Sequence, residues 1–145
     1  MPRTTDNGFD VAVMDKENHA VALVQVKAHP VERWATMLPK QLAKFAEHVG
    51  FVLAIDPNSI YVYRPAGENF GEPIAQLDTQ QVLQHYDPEL PSKRVFESYL
   101  MTLVEAWLRD LAYHWKSDNP PGSEELERAG LLEKLEGGTT QSLGA

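Results

Sequence analysis

The chain has 145 residues, 43% of them hydrophobic, and 13 Lys and Arg against 21 Asp and Glu give a formal net charge of -8. That length and apolar content suit one folded domain with its own core. The acidic balance opposes broad attraction to phosphate backbones, which depends on basic side chains displacing counterions, so contact with DNA is expected only through a local site or a partner.

There is no cysteine, which excludes disulfides and cysteine-based zinc sites. No apolar stretch approaches the roughly 20 residues of a membrane helix. The first residues, Met1 to Asp6, contain no apolar signal core, so a cytoplasmic protein without a membrane partner is expected.

Phe9 to Val13 is a short apolar run, Asp15 to His19 is polar, and Ala20 to Lys27 is apolar again, which predicts a β-hairpin. With Lys16 to His19 as the loop, Asp15 pairs with Ala20 and Asp10 falls opposite Gln25. Lys27 is then one diagonal step away on the same face, and a slip of one residue would separate them. His29-Pro30 ends the strand.

Val31 to Val49 has Trp34, Leu38, Leu42, Phe45 and Val49 at helical spacing, and Pro39 either kinks this helix or begins a second one, which Gly50 ends. Phe51 to Ile55 reads as a strand buried on both faces, Asp56 to Ser59 as a turn, and Ile60 to Tyr63 as a returning strand. Residues 8–64 thus read β-β-α-β-β.

Arg64 to Pro73 is loop-like, Ile74 to Leu77 a weak strand, and Gln80 to His85 a short helix. From Ser92 as N-cap, an apolar stripe through Val95, Phe96, Tyr99, Leu100, Leu103, Val104, Trp107, Leu108, Leu111 and Trp115 predicts a long helix to Lys116, with Glu97, Glu105, Arg109 and Lys116 on its other side. Such a stripe must be buried in the domain or against a second copy, which makes a homo-oligomer an open expectation. Ser123 to Leu135 predicts an acidic helix, and from Gly137 onward a frayed end is expected.

The hairpin trio is the constellation that suggests chemistry. Magnesium takes oxygen ligands and keeps several waters, so Asp10, the Gln25 amide oxygen and the Val26 carbonyl, with a substrate phosphate, suffice to hold it. Lys27, facing the same cleft, would orient an attacking water and offset charge developing on the phosphate. The five histidines show no paired helical spacing, and Ser98 and Ser123 lack a nucleophile-elbow pattern, so neither a histidine metal site nor a serine hydrolase is indicated.

These residues resemble the PD-(D/E)XK nuclease superfamily. Phe9-Asp10 stands where its motif has Pro-Asp, and Gln25-Val26-Lys27-Ala28 where it has Glu-x-Lys-Ala; glutamine at the middle position is similar to Mrr-like restriction endonucleases. Val24 to Ala28, Gln41 to Gly50 and Phe51 to Ile55 also look like the N-terminal nuclease domain of type I restriction-enzyme R subunits. Gln41 with Phe45 resembles the QxxxY helix motif of RecB-like members, which implies that Gln41 joins the site.

The resemblance covers about residues 8–64. It implies an α/β fold, a restriction-endonuclease-like mixed β-sheet flanked by helices, with the helices of residues 92–136 added at the C-terminal side. The implied activity is endonucleolytic cleavage of DNA with Mg2+ or Mn2+ in restriction, repair or mobile-element processing; a catalytically degenerate binding or assembly module is the alternative. The family core begins with a helix and a strand before the aspartate, and nine residues are too few for both. Either the helix predicted from Ser92 or a second copy would cover that side of the sheet. Asp56 and Glu32 are close in sequence but placed by no motif.

Overall fold

The computed structural model describes residues 9–34, 48–65, 70–90 and 96–143. Six strands, β1 (Val11–Met14), β2 (Ala20–Val26), β3 (Phe51–Ile55), β4 (Ser59–Tyr63), β5 (Ala75–Asp78) and β6 (Thr139–Ser142), form one mixed sheet in the order β5-β4-β3-β2-β1-β6. β2 and β3 run parallel, and every other neighbouring pair is antiparallel. Four helices are described: α1 (Thr79–Leu83), α2 (Glu97–Tyr113), α3 (Ser123–Ala129) and α4 (Leu132–Leu135). None of the described helices is long and apolar enough to cross a membrane.

Strand alternation divides the apolar residues into two cores. Val11, Val13, Val24, Val26, Leu53, Ile55, Ile60 and Val62 face α2, whose Leu100, Val104, Trp107, Leu108 and Leu111 cover them. On the opposite face Ala12, Leu23, Val52, Ala54 and Tyr63 pack with Phe9, Trp34 and Phe70. β3 is buried at all five positions because both of its faces are covered. From Leu100 to Leu111 the stripe of α2 is therefore buried within the chain, whereas Phe96 and Trp115 at its two ends are 64% and 51% exposed.

The hairpin differs slightly from the pattern read in the sequence. Met14, not Asp15, pairs with Ala20, and an irregularity between Val13 and Met14 leaves Val21 as an extra residue. Val21 and Ala22 consequently both face the α2 core. Asp15 instead closes the turn, its carboxylate accepting the N–H groups of Glu17 (2.9 Å) and His19 (2.8 Å), with Asn18 left-handed at φ 66°.

The long helix is shorter than its stripe. It ends at Tyr113, and His114 adopts a left-handed conformation at φ 53°. The Asp110 carboxylate draws the chain back by accepting the N–H groups of Lys116 (2.9 Å) and Ser117 (3.0 Å), and Trp115 folds over to donate its indole N–H to the Ala106 carbonyl at 2.9 Å. Local side-chain capping thus overrides an apolar period that would have continued to Trp115. The proposed cap Ser92 and the helix predicted across Leu38, Gln41 and Phe45 lie outside the described residues. The acidic helix predicted for Ser123 to Leu135 is two helices, because Gly130 turns left-handed at φ 85° and ends the first.

The largest correction concerns the C-terminal end. Residues expected to fray form β6, which pairs antiparallel with β1 from Val11–Ser142 to Met14–Thr139. Gly137 N–H donates to the Ala112 carbonyl at 2.8 Å and Arg109 Nε donates to Thr140 Oγ1 at 3.2 Å, fastening the strand to α2. Polar Thr, Gln and Ser side chains carry no apolar signal, whereas the unpaired edge of β1 supplies main-chain partners along the strand. α2 and β6 together thus cover one face of the sheet and the outer edge of β1.

Candidate functional site

The register of β1 and β2, carried one residue beyond Val11–Val24, sets Asp10 against Gln25. Here the main chain of β1 bends away: the Asp10 N–H goes to the Val24 carbonyl at 2.8 Å, and the Asp10 carbonyl accepts the Leu143 N–H at 2.8 Å. The Asp10 side chain takes over the ladder, with Oδ2 accepting the Val26 N–H at 2.8 Å. Main-chain N–H and C=O groups of one strand residue point to the same side. The Val26 carbonyl therefore faces the strand that carries the Asp10 carboxylate, with Gln25 and Lys27 as the flanking residues.

Across β2, the Lys27 N–H continues the parallel ladder by donating to the Ile55 carbonyl at 2.9 Å. Alternation puts Gln25 and Lys27 on the face of Leu23, opposite α2. Lys27 is partly exposed, and the Gln25 side-chain oxygen is sealed from solvent. Gln41 lies outside the described residues. Of the sequence-derived set, Asp10, Gln25, Val26 and Lys27 share the end of the β1–β2 pair.

Asp56, which no motif placed, is a carboxylate of this region bonded through both oxygens. It is 2% exposed, and its Oδ2 accepts the Val31 N–H (2.9 Å) and the Trp34 indole N–H (3.2 Å). Its Oδ1 accepts the N–H groups of Asn58 (2.8 Å) and Ser59 (2.9 Å). Continuing the Val26–Ile55 register by one step sets Asp56 beside Lys27. Asp56 thus ties the segment after Lys27 to the β3–β4 turn. Its sequence signal was an Asx-turn pattern, Asp-Pro-Asn-Ser, which says nothing of the distant Trp34.

On the same face, a second row runs across the sheet: Gln25 pairs with Ala54, Ala54 with Tyr61 and Tyr61 with Gln76. Beyond the small Ala54, Tyr61 and Tyr63 form part of an open cleft lined also by Glu32, Arg33, Trp34, Glu72 and Pro73. Burial pushes the Tyr63 hydroxyl up to about 12, and the neighbouring Tyr61 and Glu72 add to the shift, so it stays protonated at neutral pH.

Two further polar clusters are structural in what they bond. The ligand atoms of Asp15, Glu17 and His19 lie within 4.8 Å of one another, but the Asp15 carboxylate forms the hairpin turn described above. His85 Nε2 and Ser117 Oγ approach to 2.6 Å, while the adjacent Lys116 and Ser117 N–H groups are occupied by Asp110. Those N–H groups point at a fixed anion, the opposite of an oxyanion hole. No family model, curated protein or solved structure matches the chain.

Proposed function

We propose that the chain is a PD-(D/E)XK-like nuclease-fold protein that binds Mg2+ or Mn2+ and cleaves DNA as an endonuclease, in restriction, repair or mobile-element processing. The observation that carries this reading is the 2.8 Å contact between Asp10 Oδ2 and the Val26 N–H, which sets a carboxylate at the main chain between Gln25 and Lys27. Asp10, the Gln25 amide oxygen and the Val26 carbonyl supply oxygen donors of the hard type that magnesium prefers. A cation held there would polarise the scissile phosphate and its attacking water.

Lys27 contributes a positive charge on that face, suited to orienting water and offsetting charge on the phosphate. Gln41 joins this set through its resemblance to the QxxxY helix motif. The arrangement of β6 and α2 also supports the reading, because a C-terminal strand and helix occupy the side where the family has a leading strand and helix. The test is incubation of plasmid DNA with the protein and Mg2+ or Mn2+, beside Lys27→Ala. Metal-dependent nicking by the native chain and its loss in the variant are expected; absent or equal cleavage removes the catalytic reading.

A second reading, a catalytically degenerate nuclease fold retained for binding or assembly, is favoured by one specific feature. Gln25 offers a neutral oxygen in place of a carboxylate, and that oxygen is sealed from solvent. Calorimetry separates the two: no Mg2+ or Mn2+ binding together with a defined dimer or partner complex supports the module.

A further inference from the structure

Main-chain groups of β6 point away from the molecule along an open edge of the sheet. Leu143 N–H donates to the Asp10 carbonyl at 2.8 Å, one step beyond the Val11–Ser142 pair. The N–H and C=O of one strand residue share a side, and successive residues alternate. Thr139 and Gln141 therefore face β1 together with Leu143, whereas the main-chain groups of Thr140 and Ser142 face outward, where the sheet of described strands ends. The strand reads Thr-Thr-Gln-Ser, with no charge or proline, and no bulge interrupts its pairing with β1, so shortness is its one guard against pairing. The opposite edge differs: β5 ends in the charged Asp78, and Glu125 and Arg128 of α3 line a cleft beside its Gln76.

α2 lies over this edge and carries a charge pattern that fits one occupant. Arg109 Nε donates to Thr140 Oγ1 at 3.2 Å, Arg109 Nη2 stands 3.7 Å from Glu105 Oε2, and the Arg109 side chain is 42% exposed. Strand and helix run in opposite directions, since Gly137 bonds to Ala112 while Thr140 bonds to Arg109. Two strand residues, about 6.7 Å, match four helical residues, about 6 Å. Ser142 is thus level with Glu105, as Thr140 is with Arg109.

We propose that β6 pairs with β6 of a second copy of this chain, antiparallel about a twofold axis at Gln141, joining the two six-stranded sheets edge to edge. Thr140 of each copy exchanges main-chain hydrogen bonds with Ser142 of the other, and Gln141 meets its own counterpart, whose amide both donates and accepts. The same register sets Arg109 of each copy level with Glu105 of the other. Moving the axis to Thr140 would oppose arginine to arginine, and moving it to Ser142 would oppose glutamate to glutamate, so the charges select the register. A net charge of -8 works against unguided self-association, but edge and ion pair are self-complementary about one axis, which a second copy satisfies with no further partner. The interface goes beyond the nuclease reading and does not rest on it.

Sedimentation equilibrium of the full chain at about 100 μM tests the interface, and a dimer is expected. Ser142→Pro removes an outward N–H and none that β1 uses, a place where an edge strand tolerates proline. It should weaken the dimer at least about tenfold, because the twofold deletes the bond twice. Two charge variants leave the strand intact. Arg109→Glu alone and Glu105→Arg alone should each be monomeric, since like charges then meet across the axis, while an equimolar mixture of the two should form a heterodimer. A monomeric native chain, a dimer that either Ser142→Pro or Arg109→Glu leaves unchanged, or no heterodimer on mixing overturns the proposal. None of these readouts depends on metal binding or DNA cleavage.

Discussion

Gly138 approaches Met14 so closely that a Cβ on the glycine would stand 1.9 Å from the Met14 carbonyl oxygen and 3.1 Å from the Asp15 Cα. Both obstacles are main chain, so no side-chain rotation relieves them. This contact is where the chain passes from α4 into β6, the strand that covers the edge of β1.

Gly138→Ala is therefore expected to destabilise the protein by about 3 kcal/mol, at the upper end of overpacking costs, and to free β6 from β1. Gly130→Ala is the control: it has nothing within 4 Å of its added Cβ and suffers only its left-handed φ of 85°, at roughly 1 kcal/mol. Urea unfolding measures both, and hydrogen exchange in β6 reports the detachment. Equal midpoints for the two variants would contradict the close approach.

The candidate metal site separates charge from scaffold. Asp10→Asn keeps an oxygen able to accept the Val26 N–H, so melting is expected to shift by no more than about 1 kcal/mol. The anionic donor is lost, so Mn2+ binding by calorimetry should fall below detection. Gln25→Glu acts in the opposite direction, and tighter Mn2+ binding, on the order of tenfold, is expected because oxygen sites tighten with ligand charge.

Asp56→Ala strips the acceptor from the N–H groups of Val31, Trp34, Asn58 and Ser59 at once. A cost of about 3 kcal/mol in chemical unfolding is expected, since the Asp56 carboxylate is buried and its loss leaves the buried Trp34 indole N–H without its acceptor while three main-chain bonds go with it. The segment holding Glu32, Arg33 and Trp34 should loosen as well. Near-native stability of this variant would show that solvent reaches the site.

The end of α2 gives the protein opposite pH dependences on its two limbs. Burial raises the Asp110 carboxyl, but the hydrogen bonds from Tyr86, Lys116 and Ser117 outweigh it and hold the group below its usual 3.8. Its folded pKa lies below the unfolded one, so its stabilisation is present above about pH 4 and disappears as pH falls through the folded value. His114 is raised above 6.5, chiefly by its hydrogen bond to the Ser117 carbonyl, against some desolvation and with help from Glu136. Its contribution is complete below the unfolded value and declines as pH rises through the folded one.

Thermal melts across pH should accordingly lose the alkaline decline in His114→Gln while the acid limb remains. Tyr86→Phe removes the 2.7 Å bond to Asp110 Oδ2 and should cost about 1.5–3 kcal/mol at neutral pH, with a shallower acid limb. Parallel curves for native and variant chains would refute these assignments.

Most strands were legible because their signals are local. Val11 to Val13, Ala20 to Val26 and Phe51 to Ile55 carry runs of β-branched or apolar residues between turn formers, and the alternation in β2 fixes Gln25 on one face and Val24 and Val26 on the other. Even the miscount at the hairpin turn left Asp10 opposite Gln25, since the extra residue at Val21 compensates for pairing at Met14. The overlong reading of α2 arose because apolar period alone has no term for an Asp110 side chain recruiting the following N–H groups.

By itself, then, the sequence determined the hairpin, the β3–β4 pair and the apolar stripe of α2, since period and turn chemistry act between near neighbours. Tertiary structure alone decided that Thr139–Ser142 becomes a strand, that Asp56 grips Trp34, and that Tyr61 shares a row with Gln25. Each joins segments far apart in the chain, and main-chain bonding or the reach of a buried carboxylate depends on which neighbour the fold delivers, a quantity no short window of residues contains.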